Sequence, residues 1–401
     1  MKIIKRNQYL SQLIDLIGTP DIKVITGIRR CGKSVLLQGF MDYLKDTSRG
    51  VNIVYINLQD LDYDDLKDHK VLHQYAIDHH DKGKENYLII DEIQLCNSFE
   101  TAINSLHTKG LYDIYLTGSN AFLLSSDLAT LFTGRTMEIK VFPFSFREYS
   151  EYFGTTEPLD GAFDQYVKTG GLPGAYVYKT EKQRYDYVSE VYNTIIKRDL
   201  VQKYKIRNVG EFMRIADYMQ DNIANLLSPN NICDALNKDK SKITTKTVSK
   251  YITYLENAFV FYQAIRYDLK GKKYLKSGSK YYMSDPSIRY ANLGRRNMDY
   301  GRMYENIVYI ELLRRGYEVY VGKLYKNEVD FVASKNSEKL YIQVSDDISS
   351  PETFNRECRS LLSIPDAYPK YIIARTHHED YDHQGITICD LPRWLFDDKR
   401  A

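Results

Sequence analysis

Cysteine is scarce in this chain: Cys31, Cys96, Cys233, Cys358 and Cys389 are scattered over 401 residues with no CxxC pair. That spacing excludes a disulfide framework or a cysteine-type zinc site and fits reduced thiols. Only 10 prolines, no low-complexity tract and no repeat of fixed period exclude a collagen-like or largely disordered chain. No run of about 18 uncharged apolar residues occurs, which excludes a membrane-spanning helix. The start, Met1-Lys2-Ile3-Ile4-Lys5-Arg6, puts charge where an export signal needs an apolar stretch, so a cytoplasmic location is expected. Tryptophan occurs once, at Trp394, whereas tyrosine occurs 36 times, spread along the chain and read here as compositional bias. An excess of one charge is missing too. With 55 Lys+Arg against 53 Asp+Glu the net charge is +2, which weighs against a nucleic-acid partner unless the charge is unevenly placed.

What is present is a chain that is 43% apolar and long enough for several domains. Residues 1–145 alternate short apolar runs with amphipathic stretches, the pattern of an α/β layer with a mostly parallel sheet. Strands are expected at 23–26, 52–58, 87–91, 113–118 and 137–142. Residues 146–207 read as a helical linker or lid, broken at Gly170-Gly171-Leu172-Pro173-Gly174. Residues 208–298 read as helices followed by a hairpin, and 299–401 as a separate small α/β unit.

The first strand runs into Gly27-Ile28-Arg29-Arg30-Cys31-Gly32-Lys33-Ser34, a GxxxxGK[ST] loop that opens an amphipathic helix, Ser34-Val35-Leu36-Leu37-Gln38-Gly39-Phe40-Met41. A loop of this kind turns backbone N–H groups toward phosphate oxygens, helped by the partial positive charge of the helix N-terminus. Lys33 is expected to reach the β- and γ-phosphates, and the Ser34 hydroxyl to hold Mg²⁺. Further on, the apolar run Tyr87-Leu88-Ile89-Ile90 ends in Asp91-Glu92. Carboxylates at the C-terminal end of a parallel strand lie where such sheets bind ligands. Asp91 fits the Mg²⁺-side carboxylate, and Glu92 the base that positions the attacking water. A third strand ends in Ser119-Asn120, where Ser119 is expected to hydrogen-bond the water or the γ-phosphate. Arg135, after Gly134, is expected to meet a γ-phosphate either in cis or from a neighbouring subunit, which makes a second copy of the chain a candidate partner.

These residues, with Leu116-Thr117-Gly118-Ser119 and Phe142-Pro143-Phe144-Ser145-Phe146-Arg147-Glu148, resemble the AAA+-like P-loop ATPases of bacteria and archaea. More narrowly, they resemble prokaryotic ATPases that join such a core to a C-terminal domain of unknown function. The resemblance implies an ATPase core with sheet order 5-1-4-3-2, a helical lid, and Mg-ATP as ligand.

In the middle segment, residues 244–257 form a capped amphipathic pattern with Val248, Ile252, Leu255 and Phe259 as the apolar stripe. Lys246, Ser249, Lys250 and Thr253 fall on another face, suited to phosphates and base edges. With a helix from Ser228 and a hairpin around Lys270-Gly271-Lys272-Lys273, the segment reads as a winged helix whose wing offers Lys272 and Lys273. Residues 195–296 carry 20 Lys+Arg and 9 Asp+Glu, a net of +11, leaving −9 for the rest of the chain. Such segregation is the electrostatic footprint of DNA binding. A docking module with a solvated basic face is the alternative.

The last unit is similar to the PD-(D/E)xK nuclease core: Glu305 sits on a helix and Asp330 on a strand. The ExK positions, however, read Gln343 and Ser345. Without the second carboxylate and the lysine, metal binding and water activation should collapse, so a degenerate relic is expected. The sequence as a whole reads as an ATP- and Mg²⁺-dependent ATPase with nucleotide-gated DNA binding. A protein-interaction switch without a DNA role is the alternative, and an ATP-coupled nuclease is disfavoured.

Overall fold

The computed structural model describes residues 3–47, 50–118, 132, 134–156, 158–238, 243–271, 273–294, 299–325 and 327–397. The chain divides into two units, Met1–Val141 and Phe142–Ala401.

In the first unit, α1 (Asn7–Asp15) precedes β1 (Ile22–Thr26), α2 (Lys33–Thr47), β2 (Val51–Asn57) and α3 (His69–Asp78). Then come β3 (Glu85–Asp91), α4 (Phe99–Lys109), β4 (Asp113–Thr117) and β5 (Thr136–Lys140). The strands pair in parallel in the order β2-β3-β4-β1-β5, the order expected from the resemblance. Both faces of such a sheet are covered, so its central strands are nearly continuous apolar runs. Val24 of β1, Leu88 and Ile90 of β3, and Ile114 and Leu116 of β4 share a core with Leu72 of α3 and Ile103 and Leu106 of α4. Because β4 separates β1 from β3, the C-terminal ends of these three strands lie side by side. Among the described residues, every candidate group of the first site except Arg135 stands there or in the loops that follow.

The second unit opens with α5 (Phe146–Phe153), α6 (Asp160–Thr169) and α7 (Glu181–Thr194), which continues into a π-wound stretch at Ile195–Gln202. The glycines that break the helical pattern have a physical reason. A Cβ on Gly170 would lie 1.9 Å from Asp285 Oδ1, and one on Gly171 would lie 2.3 Å from Phe144 O. Gly171 N donates to the buried Asp285 Oδ2 at 2.6 Å, so the loop is clasped to the turn before residue 286.

Next come α8 (Val209–Asp221), β6 (Leu226–Leu227), α9 (Pro229–Asn237), α10 (Thr245–Asn257), β7 (Phe261–Asp268) and β8 (Lys273–Met283). They are followed by α11 (Pro286–Leu293), α12 (Tyr300–Arg314), β9 (Glu318–Leu324), β10 (Asn327–Lys335) and β11 (Glu338–Ser345). The unit ends with α13 (Pro351–Leu362), β12 (Lys370–Ala374), β13 (Tyr381–His383), β14 (Ile386–Asp390) and α14 (Leu391–Phe396). The expected hairpin is β7–β8, antiparallel, with β6 on its outer side. Its inner strand β7 also pairs in parallel with β9, giving one sheet in the order β13-β14-β12-β11-β10-β9-β7-β8-β6. Segments 208–298 and 299–401 therefore share a sheet. Among the described residues no helix is long and apolar enough to cross a membrane.

Candidate functional site

The loop between β1 and α2 is wound for close approach. Gly27 has φ 147° and Gly32 φ 104°, and Arg30 also takes a left-handed turn at φ 68°. Any Cβ on Gly27 would sit 2.1 Å from Val141 O, so only glycine fits there. Lys33 is buried, and its ammonium donates to the carbonyls of Gly27 at 2.9 Å and Ile28 at 3.3 Å. Its side chain thus already curls over the loop that would hold the phosphates. Ser34 is exposed on the first turn of α2. One residue escaped the sequence reading: the nearly buried Arg6 donates to Cys31 O at 3.0 Å and stacks on Tyr9 at 4.5 Å. Ile3, Ile4, Leu10 and the exposed Val35 line a cavity of about 220 Å³ beside α2, with Arg6 at its wall.

At the end of β3, Asp91 is 2% exposed, and its Oδ1 accepts from the Thr117 hydroxyl. Thr117 in turn accepts from Glu92 N at 3.1 Å. One hydroxyl therefore ties the carboxylate of Asp91 to the main chain of Glu92. Glu92 is held at φ 60°, which costs a non-glycine residue about 1–2 kcal/mol. Gln94 Nε2 donates to Glu92 Oε2 and fixes the carboxylate. Among the described residues Asp91 Oδ2 accepts no hydrogen bond from the protein. Burial and then the charge of Asp91 push the Tyr55 phenol up to about 12, so this neighbour stays neutral.

Thr117 lies within the motif read from sequence, but the role was given to Ser119, which falls outside the described residues. Arg135 needs a correction. Its carbonyl accepts from Ile22 N at 2.8 Å, and Thr136 pairs with Ile22, so Arg135 stands at the N-terminal end of β1. The phosphate loop leaves the opposite end, about 13 Å of strand away. The expected contact in cis does not form, because parallel pairing with β1 fixes which end Arg135 occupies.

In the second unit, Lys246, Ser249, Lys250 and Thr253 are all exposed on α10, opposite buried Val248, Tyr251, Ile252 and Leu255. Thr244 caps the helix, accepting from Thr247 N at 3.2 Å. Phe259 is buried too, just past the helix end. Ser249 and Thr253 border a polar groove of about 810 Å³ shared with Asn230, Asn231, Arg266 and Gln263. Glu256 also borders it, and burial pushes its carboxyl up to about 7. Lys273 is exposed at the start of β8, whereas Lys272 lies outside the described residues.

The structure brings Glu305 and Asp330 together, but around a lysine. Lys280 Nζ, from β8, lies 2.9 Å from Glu305 Oε1, 2.9 Å from Glu328 Oε1 and 3.4 Å from Asp330 Oδ1. Burial opposes the charge on Lys280, but Glu305, Asp330 and Glu328 outweigh it and hold its pKa above the usual lysine value. Burial, then the charge of Asp330, pushes Glu305 up to about 7. Gln343 accepts from Asp330 N at 3.0 Å and donates to Glu357 at 2.8 Å, while Ser345 turns to Asp347 O at 3.1 Å. Among the described residues no group of three or more His, Cys, Asp or Glu side chains is arranged to hold a metal ion.

Residues 19–150 match the AAA domain family, and residues 160–299 match a domain of unknown function, DUF8612. Together with the five-stranded parallel sheet and its phosphate loop, the first match makes the N-terminal unit a P-loop nucleotide-binding core of the AAA ATPase kind. Among solved structures, the Walker-type ATPase of Pyrococcus abyssi is 17% identical with a TM-score of 0.47, covering 72% of this chain and 95% of that one. An uncharacterised protein of Methanocaldococcus jannaschii is 27% identical, over 86% of this chain and 79% of its own length. An uncharacterised protein of Haemophilus influenzae is 37% identical, over 98% of this chain and 98% of its own. Identity at that level across nearly both whole chains places this chain in the same family as the Haemophilus protein, as a member with an AAA domain at residues 19–150.

Proposed function

We propose that the protein is a Mg²⁺-dependent ATPase whose nucleotide state governs DNA binding through a winged helix at residues 208–298. The observation that carries the ATPase reading is the Thr117 hydroxyl, which locks Asp91 and Glu92 together beside the phosphate loop. A bound Mg²⁺ would neutralise charge on the β- and γ-phosphates, held by Ser34 and, through water, by Asp91. Lys33 leaves the carbonyls of Gly27 and Ile28 for the phosphate oxygens. Residues 27–35 cradle the phosphates, and the cavity lined by Ile3, Ile4, Leu10 and Val35 takes the base. Glu92, aimed by Gln94, orients the attacking water and accepts its proton. Any phosphate contact by Arg135 is made at a site on a second copy of the chain.

The DNA reading rests on the +11 charge of residues 195–296 and the exposed Lys246, Ser249, Lys250 and Thr253. The order α8-β6-α9-α10-β7-β8 supports a winged helix, with Lys272 and Lys273 on the wing. Metal-dependent nuclease chemistry is not part of the proposal, because the ammonium of Lys280 fills the space between Glu305, Glu328 and Asp330.

Two measurements test the proposal. Lys33→Ala should abolish nucleotide binding, while Glu92→Gln should bind ATP and lose about 100-fold or more in turnover. Normal turnover in Glu92→Gln overturns its role. Duplex DNA binding, followed by salt titration with and without ATP, should differ between nucleotide states. Absence of binding at low salt in both states leaves the protein-interaction switch as the reading.

A further inference from the structure

The β7–β8 hairpin, read above as a wing, and the neighbouring β9–β10 turn carry tyrosine rings that neither the ATPase nor the winged-helix reading uses. The sequence alternates rings with positive charge there: Tyr267 and Tyr274 flank Lys270-Gly271-Lys272-Lys273, and Tyr325 stands between Lys323 and Lys326. Tyr267 and Tyr274 are cross-strand partners beyond a register shift in the hairpin. Their rings lie 5.5 Å apart, and each meets the ring of Tyr320 on β9, at 6.1 and 5.2 Å. Lysines sit over the outer rings. Lys270 Nζ is 4.7 Å from the centre of Tyr325, and Lys339 Nζ is 6.0 Å from Tyr267 and 5.1 Å from Tyr368.

A cross-strand aromatic pair can serve the sheet alone, contributing up to about 1 kcal/mol by packing. Packing does not account for rings that stay in water, however. Tyr274 is 59% exposed, Tyr325 69% and Tyr368 43%. Two of the acids nearby are engaged by phenols: Glu318 accepts from Tyr320 at 3.1 Å and Asp366 from Tyr341 at 2.5 Å. A third, Asp268, accepts from Lys270 N at 3.2 Å. The surface thus presents ring faces for stacking and ammonium groups spaced between them. That combination recognises a strand whose bases are unpaired and whose backbone is anionic.

We propose that this patch binds single-stranded nucleic acid, with bases stacked on Tyr274, Tyr320 and Tyr325 and phosphates on Lys270 and Lys339. A duplex keeps its base faces inside the stack and cannot use the rings. An acidic protein segment would use the lysines but gain nothing specific from the rings. The proposal is independent of ATP and of the exposed face of α10.

The test is the binding of a fluorescent oligothymidylate to the full chain without nucleotide, by anisotropy at several salt concentrations. Tyr274→Ala with Tyr325→Ala should weaken binding at least tenfold. The corresponding double Phe variant, which keeps the rings, should stay within about twofold of wild type. Lys270→Gln with Lys339→Gln should reduce the slope of log affinity against log salt by about 1.4. Lys246→Ala with Lys250→Ala should weaken oligothymidylate binding less than the tyrosine pair does, which separates this surface from the winged-helix reading. Because Tyr274 and Tyr325 are exposed, the Ala variant should keep the wild-type melting temperature. If it does not, Tyr325→Ala alone, on the more exposed ring, decides the matter by at least a threefold loss. No binding by the wild-type chain at low salt overturns the proposal. So does a folded Ala variant that binds as wild type, a preference for duplex of equal length, or equal competition by polyglutamate.

Discussion

Thr117 shows how much one hydroxyl can organise. It donates to Asp91 and accepts from Glu92 N, and both partners are at the end of β3. Thr117→Val keeps the shape but removes the donor to a carboxylate that is 2% exposed and strands a backbone N–H. ATP binding should survive, because Lys33 and the loop glycines are untouched, while kcat should fall about 10- to 100-fold, with Thr117→Ser restoring most of it. A steady-state ATPase assay on the three proteins, alongside nucleotide affinity, checks this. Glu256 makes a different single-residue case. Its carboxyl is pushed up to about 7 by burial, against 4.5 for a glutamate in water. A group whose folded pKa is raised contributes stability fully present below about pH 4.5 and lost as pH rises through 7. Glu256→Gln removes that dependence. It should be more stable than wild type at pH 8 by about 1–2 kcal/mol, since part of the side chain still reaches water, and equal to it near pH 4.5. Urea denaturation at the two pH values measures the difference.

Among the elements, those whose local sequence decides their structure were legible. The central strands β1, β3 and β4 of the first unit are buried on both faces, so their apolar runs marked them, with ends shifted by one or two residues. The phosphate loop was legible because its glycines serve the backbone itself. The role of Thr117 was not, because it depends on β4 lying beside β3 in register, with Ile90 opposite Leu116. Arg135 misled in the same way. Its distance from the phosphate loop follows from strand direction, and a linear motif does not carry that. Gly170-Gly171-Leu172-Pro173 reads as a break in a helix, and α6 does end at Thr169, but the sequence did not show that Gly170 makes room for Asp285, whose carboxylate accepts from Gly171 N 114 residues away. Gly171→Ala should therefore clash with the backbone of Phe144 and cost about 2 kcal/mol or more, far beyond the small change expected of an exposed loop glycine. A thermal melt measures the loss, and Gly174→Ala cannot serve as its control, because a Cβ there would lie 2.0 Å from the Tyr187 hydroxyl. Gly161→Ala, where nothing lies within 4 Å, is the neutral comparison.

At the scale of the whole chain, composition hid what mattered. The near balance of 55 and 53 charges conceals a basic segment in an acidic remainder, and 36 tyrosines conceal the exposed Tyr274, Tyr325 and Tyr368 beside the β7–β8 hairpin. The nuclease-like pattern was half legible. Glu305 and Asp330 are where the spacing put them, but the lysine between them arrives from β8, 25 residues before Glu305 and 50 before Asp330. No motif anchored on the last hundred residues contains it. A buried ammonium with three acidic partners is strongly coupled to them, and removing one side of such a pair leaves the other unpaired. Lys280→Met should therefore destabilise the second unit by about 3–5 kcal/mol. Adding Glu305→Gln should not cost the sum of the two single changes, because the carboxylate stranded by the first substitution is then gone. Equilibrium urea unfolding of wild type, both single variants and the double variant closes the cycle. A coupling energy near zero would mean that Lys280 is merely solvated at the edge of the sheet and that the acids were never its counter-ions.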